Sequence, residues 1–257
     1  MPRFPPELLE KVFVNLSKRD LISVALTSRV CYHLSLILIY REILDIKLFG
    51  PTNQAHLPSI KCLETLSSPG NCPQAVRHFA ARGHPWLQEV KINLFLQALL
   101  QMTDLVSLEL EMGALPEELV FTETRCSEAS FLPRLRAISL HHYKSAVHLL
   151  NIRLVKSVRI KHIMDVPAFL ELLAALRCCS TSLTSLQIWI SVPGVTSAVT
   201  IMESLAQELP SLRILGIAFT FPTPNWTERL SVSLDIWMVL TYAVTKSILI
   251  DGCKRTH

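Results

Sequence analysis

The sequence predicts an α/β repeat protein, with a short trio of helices followed by a stack of strand–helix units. Three observations carry this. Apolar residues recur at helical spacing over roughly the first forty positions. A short motif, L-x-x-L-x-L with aliphatic replacements, then recurs along most of the remaining chain. Helix-period stretches stand between its copies, and alternating strand and helix patterns are the signature of layered α/β architecture.

Composition bounds the function. The chain has 257 residues, half of them hydrophobic and 18% charged. That is ample material for a core and too little charge for long disordered arms. The formal charge of +4 comes from scattered rather than striped basic residues, so it permits an acidic partner but does not point to nucleic acid. Seven cysteines, with no C-x-x-C among them, fit reduced thiols in the cytoplasm or nucleus. The N-terminus shows no basic-then-apolar leader, so the sequons at Asn15 and Asn225 are expected to stay unmodified. Leu230–Ile250 is apolar but interrupted by Asp235 and Lys246. Its clean run, Ile236–Thr245, is too short to cross ~30 Å of hydrocarbon.

The first helix begins at Pro5-Pro6, where a missing N–H does no harm. Leu8, Leu9, Val12, Phe13 and Leu16 form its apolar side, and Glu7, Glu10, Lys11 and Asn15 the other. Ser17-Lys18-Arg19-Asp20 is a capping-box pattern that ends one helix and starts the next. Leu21, Ile22, Ala25 and Leu26 continue the apolar side. A third helix is expected from about Arg29 to Tyr40, with Leu34, Ile37 and Leu38 inward. So small a trio lacks the core to stand alone. It packs either on the rest of the chain, as a cap, or on another protein.

These residues carry a resemblance. Phe4-Pro5-Pro6-Glu7-Leu8-Leu9, Val12-Phe13, Leu16-Ser17, Asp20-Leu21 and Ala25-Leu26-Thr27-Ser28-Arg29 together resemble an F-box of the fungal type. Phe4 stands where leucine is usual, and Cys31 where many members have tryptophan. The resemblance implies binding to the Skp adaptor of a cullin-based ubiquitin ligase. It places the adaptor contacts on Pro5, Leu8, Leu9, Val12, Phe13, Leu16, Leu21 and Leu26.

The repeated motif begins at Leu87, Leu105, Leu135, Val155, Leu183 and Leu212, at intervals of 18 to 30 residues. This is near the period of leucine-rich repeats. Phe169-Leu170-Leu172-Leu173-Leu176 and Ile201-Leu205-Leu209 have helical spacing between the cores. The lead-ins Phe131-Leu132-Pro133-Arg134-Leu135-Arg136 and Glu208-Leu209-Pro210-Ser211-Leu212-Arg213 resemble units common behind fungal F-boxes. In each, proline ends a helix and sets up a strand. Gly113, Tyr143, Ser191 and Thr220 occupy the place of the asparagine that usually follows the core. An irregular leucine-rich-repeat solenoid is therefore expected.

Strand residues alternate faces, so with the core leucines inward their alternates face outward on the concave side. The candidates for target binding are Lys91, Glu109, Glu111, His141, Arg159, Lys161, Gln187 and Trp189, with Trp189 as an aromatic anchor. A one-residue shift of register would bury Trp189 and exchange every assignment.

No glycine motif for phosphate, nucleophile elbow or zinc-ligand set is present. His141, His142 and His148 read as solvated or packed, and Cys178-Cys179 as buried thiols at a helix end. The expected organisation is an F-box domain at 1–45 and a linker with a first helical turn at 46–85. Degenerate repeats follow at 86–225, with a C-terminal cap or irregular tail at 226–257, where Ile248 and Ile250 would serve a last repeat. The expected function is non-enzymatic and cofactor-free: a substrate-recognition adaptor joining Skp, and through it a cullin, to a target protein. Nucleic acid and membrane are not expected partners. The alternative is a repeat scaffold with a helical N-cap and no ligase link.

Overall fold

A computed structural model describes residues 5–48, 57–83, 89–112, 114–151, 153–220 and 238–241. The chain divides into two units. One comprises Met1–Val120 and Ala129–Leu135, the other Phe121–Glu128 and Arg136–His257.

The first unit opens with α1 (Pro6–Phe13), α2 (Lys18–Ala25) and α3 (Arg29–Arg41). Ser17 caps α2 as its pattern predicts. Its Oγ accepts from the Asp20 N–H at 3.2 Å and donates to Asp20 Oδ2 at 2.7 Å. Ser28 caps α3, accepting from the Cys31 N–H at 3.1 Å. Then α3 runs directly into β1 (Glu42–Leu48). Lys18 Nζ pins that junction, donating to the Glu42 carbonyl at 2.7 Å. There follow α4 (Leu57–Ser67), α5 (Asn71–Ala75), β2 (His78–Gly83), α6 (Glu89–Gln101), β3 (Ser107–Glu111) and α7 (Ala114–Val120). The three strands are parallel and adjacent in chain order. Phe79 and Phe95, with rings 5.9 Å apart, join Leu63, Leu66, Leu99 and Leu108 in the core.

The second unit repeats this alternation. It contains α8 (Glu123–Cys126), β4 (Ala137–Leu140), α9 (Tyr143–Leu150), β5 (Ser157–Met164), α10 (Val166–Arg177), β6 (Ser185–Ser191), α11 (Val195–Glu208) and β7 (Ile214–Thr220). Strands β4 to β7 are parallel neighbours, and β8 (Met238–Thr241) pairs antiparallel with β7. The predicted helices at 169–176 and 201–209 are α10 and α11. Asp165 caps α10, its Oδ1 accepting from the Ala168 N–H at 2.9 Å.

Register follows the motif. Every core residue from Leu105 to Ile217 is buried, and all of these strands pack that face inward. The turn entering a strand is also recurrent. The carbonyls of Met102, Leu132 and Leu209 accept from the N–H three residues on, at 3.1, 3.2 and 3.1 Å. In the latter two, Pro133 and Pro210 take the second place of the turn, where a fixed φ fits. Leu132 adopts φ 48°, a left-handed conformation unfavourable for a branched side chain, and it is buried. Without the asparagine, neighbouring turns are tied by the main chain. The carbonyls of Arg77, Arg136, Lys156 and Thr184 each accept two N–H groups from the turn that follows. Side chains add to this: Ser182 Oγ donates to the Val155 carbonyl at 3.0 Å, and Thr184 Oγ1 to the Lys156 carbonyl at 3.1 Å.

Several expectations are corrected. The motif read at Val90-Ile92 is not a strand. It lies in α6, so Lys91 is a helical residue and has no place on a sheet face; Leu87 lies outside the described residues. The strand preceding β3 is β2, whose buried pattern is Val76-x-x-Phe79-x-Ala81. Alanine in the third place hides it, because one methyl gives little apolar signal. The segment read as a linker, 46–85, contains the end of β1 together with α4, α5 and β2. Ile37, expected inward, is exposed, and so is Cys178, while Cys179 is buried. Of the tail, only β8 is described; Ile248 and Ile250 are outside the described residues, as is Phe4.

Candidate partner-binding surfaces

Helix α1 carries two adjacent apolar stripes, and they have different fates. Phe13 is 5% exposed and Leu21, on α2, 4%; both lie in the interior of the first unit. Leu9 and Leu16 are half-buried. The i, i+4 neighbours Leu8 and Val12 face solvent, Val12 at 59%. Ile22, Leu26 and Val30 are exposed as well, Leu26 at 84%. Helix α3 packs on α1 and α2 and, on another side, on α5. The trio is thus anchored to its own unit through α3 while α1 and α2 leave an apolar ridge uncovered. So many exposed aliphatic groups in one small element mark an interaction surface.

Of the eight positions expected to touch an adaptor, Pro5, Leu8, Val12 and Leu26 are exposed, and Leu9 and Leu16 partly so. The other two, Phe13 and Leu21, are buried in the free chain. Sequence reading missed Val30, in the first turn of a helix whose apolar residues run all round it. Cys31 sits in the first turn of α3, where the Ser28 and then the Thr27 hydroxyl hold its thiol below the ordinary value.

The sheet of the first unit turns Glu109 and Glu111 outward. Arg82 on β2 reaches Glu111, with Nε 3.3 Å from Oε2. Glu42, Leu44, His78 and Glu109 line a shallow pocket of about 270 Å³ on this face. Nearby, Arg77 Nη1 and Arg134 Nη1 both reach the Asp104 carboxylate, at 2.8 and 3.0 Å.

In the second unit the outward residues include His141 just after β4, Arg159 and Lys161 on β5, and Gln187 and Trp189 on β6. Arg159 is exposed and the others are half-buried. Trp189 alternates with the buried Ile188 and Ile190, so it belongs to the outer face and the shifted register is excluded. The Arg159 guanidinium lies 6.0 Å from the Trp189 ring centroid. Gln187 lies over Gly216, where a Cβ would come within 3.3 Å of its Cγ; the glycine lets the glutamine stem lie flat on the sheet. His141 and His142 both approach His162, with ring centroids 5.4 and 6.1 Å apart. His148 is half-buried on α9. Among the described residues no group of three or more His, Cys, Asp or Glu is arranged to hold a metal ion.

Burial shifts several of the other thiols. It pushes the Cys126 thiol up to about 11, against a pull downward from Arg153. It also raises Cys62, Cys72 and Cys179. No helix among the described residues is long and apolar enough to cross a membrane.

Fold and surface define the class: a helical trio with an uncovered apolar ridge, followed by α/β units with parallel sheets. Residues 1–41 match the F-box domain family. Among curated proteins, none matches the chain.

Proposed function

We propose that this chain is the substrate-recognition adaptor of a Skp–cullin–F-box ubiquitin ligase. The ridge on α1 and α2 takes the Skp subunit, and the outward sheet faces hold a target protein. The strand–helix succession is read as degenerate leucine-rich repeats behind an F-box of the fungal type. Glu109 and Glu111 contact the target from the first unit; His141, Arg159, Lys161, Gln187 and Trp189 do so from the second. The chain makes and breaks no bond itself. It raises the target's effective concentration beside an activated ubiquitin held by other subunits.

One observation carries this reading. In a trio matching the F-box family, Phe13 and Leu21 are buried within the chain, and Leu8, Val12 and Leu26 still face solvent. A scaffold whose helices served only as a cap would cover that ridge; here the trio packs on α5 mainly through α3.

The test is co-purification with a Skp adaptor and hydrogen exchange with and without it. Val12→Asp and Leu26→Asp should abolish capture, since a charge buried without a partner costs several kcal/mol. Amides of α1 should gain protection only in the complex. Capture by both variants equal to that of the parent, or full protection of α1 in the isolated chain, leaves the scaffold reading instead.

A further inference from the structure

If the second unit's sheet is the target surface proposed above, its residues also define what the target presents. The face has one sign of charge. Arg159 and Lys161 stand on β5 and His141 directly follows β4, and no outward-facing position of β4 to β7 among the described residues is Asp or Glu. The next carboxylate along the chain, Asp165, is engaged in capping α10.

The pairing of β5 with β6 adds an apolar neighbour. Arg159 lies opposite Gln187, but Ile163, not Lys161, lies opposite Trp189. Four steps on β5 therefore span two on β6, which is a bulge in β5. Bulges commonly re-aim side chains at functional edges. This one pairs the exposed Ile163 with Trp189 across the strands, and the Arg159 guanidinium lies over the Trp189 ring. A guanidinium held over an aromatic face keeps its N–H groups available to a partner. These groups match a carboxylate in two parallel hydrogen bonds. Lysine would supply only a point charge.

We propose that this face recognises an unmodified acidic segment. An Asp or Glu carboxylate of the target pairs with Arg159, and an adjacent aliphatic side chain rests on Trp189 and Ile163. One planar fork beside one ammonium suits a single carboxylate better than a phosphate dianion, which is more often met by several arginines.

The test selects from a random twelve-residue peptide library on the full chain, followed by affinity measurement of the recovered peptides by fluorescence anisotropy. The parent should enrich Asp or Glu next to Leu, Ile or Val. Arg159→Glu should weaken the recovered peptide at least tenfold, Trp189→Ala by about as much, and Arg159→Lys several-fold. Lys144→Glu, on α9 and off the sheet face, removes the same charge and should change affinity less than twofold. Replacing the peptide's acid by Gln should abolish binding. Selection without acidic enrichment overturns the proposal. So does equal weakening by Arg159→Glu and Lys144→Glu, or a phosphoserine peptide that binds tenfold tighter than its glutamate form. Skp binding is measured on the same preparations. If it fails while acidic selection persists, the ligase reading falls and this one stands; the converse result removes only this one.

Discussion

Replacing Arg153 by methionine should loosen the second unit, and the structure says by how much. The side chain is 6% exposed. Its Nη1 donates to the Cys126 carbonyl at 3.0 Å and the Leu149 carbonyl at 3.4 Å, and its Nη2 to the Glu128 carbonyl at 3.3 Å. Cys126 ends α8, and Leu149 lies in the last turn of α9. The cation thus closes two helix C-termini, where carbonyl groups lack partners and the dipole favours positive charge. A bond from a charged donor nets about 1.5–3 kcal/mol, and two of these three are long, so their sum is about 3–5 kcal/mol. Against this, the guanidinium loses its water, and burial lowers its own basicity. Methionine fills the space of the stem but leaves the carbonyls orphaned. A net loss of ~3 kcal/mol corresponds to a fall in Tm of roughly 6–12 °C for a domain of this size. Arg153→Lys should recover about half, since an ammonium spans fewer of these acceptors. The assay is thermal melting followed by circular dichroism. A methionine variant melting within a degree or two of the parent would show that the bonds only offset the burial of the charge. The variant should also raise the Cys126 thiol further, because Arg153 pulls it down.

Alkaline pH gives a second expectation. Cys126 rises from 9.0 to about 11 on folding, so between those values the unfolded chain has released the proton and the folded chain retains it. Stability is then complete below pH 9 and falls as pH rises toward 11, by roughly 2–3 kcal/mol from this residue. Urea midpoints against pH should show a shallower decline in Cys126→Ala, and an unaltered decline would discount the burial effect. Ser145 is buried on α9, and its Oγ has no hydrogen-bond partner. Ser145→Ala should therefore stabilise by ~1 kcal/mol and raise Tm by roughly 2–4 °C in a melt. The division between ridge and interior is checked by a pair of variants. Phe13→Ala should cost about 3–5 kcal/mol of folding stability, whereas Leu26→Ala should leave the free chain within ~0.5 kcal/mol of the parent and weaken Skp binding about tenfold or more. Equal melting of the two would erase the distinction.

The elements legible from the sequence were those whose signal is local. Ser17 and Ser28 occupy cap positions that depend on a few neighbouring residues. Leu105-x-x-Leu108-x-Leu110 and its four successors have three large aliphatic groups each, so the inward face shows in the alternation itself. The β2 strand was illegible for the same reason in reverse. Val76, Phe79 and Ala81 are as deeply buried as those leucines, but alanine and the neighbouring Arg77 and His78 dilute the pattern. Val90 and Ile92 imitated a core because two residues apart on a strand and the start of a helical stripe look alike over so short a span.

From the residues alone came the trio of helices, the repeated inward triplets and, through them, Trp189 on the outer face. Each depends on the period of one segment, which a linear chain displays. Tertiary structure decided which of the two stripes on α1 is spent inside, sending Phe13 beneath the ridge and leaving Val12 above it, because only the position of α3 distinguishes them. It also decided that Ile163 rather than Lys161 stands beside Trp189. A bulge arises from pairing between strands, and residues 26 positions apart have no periodic relation from which their contact could be read.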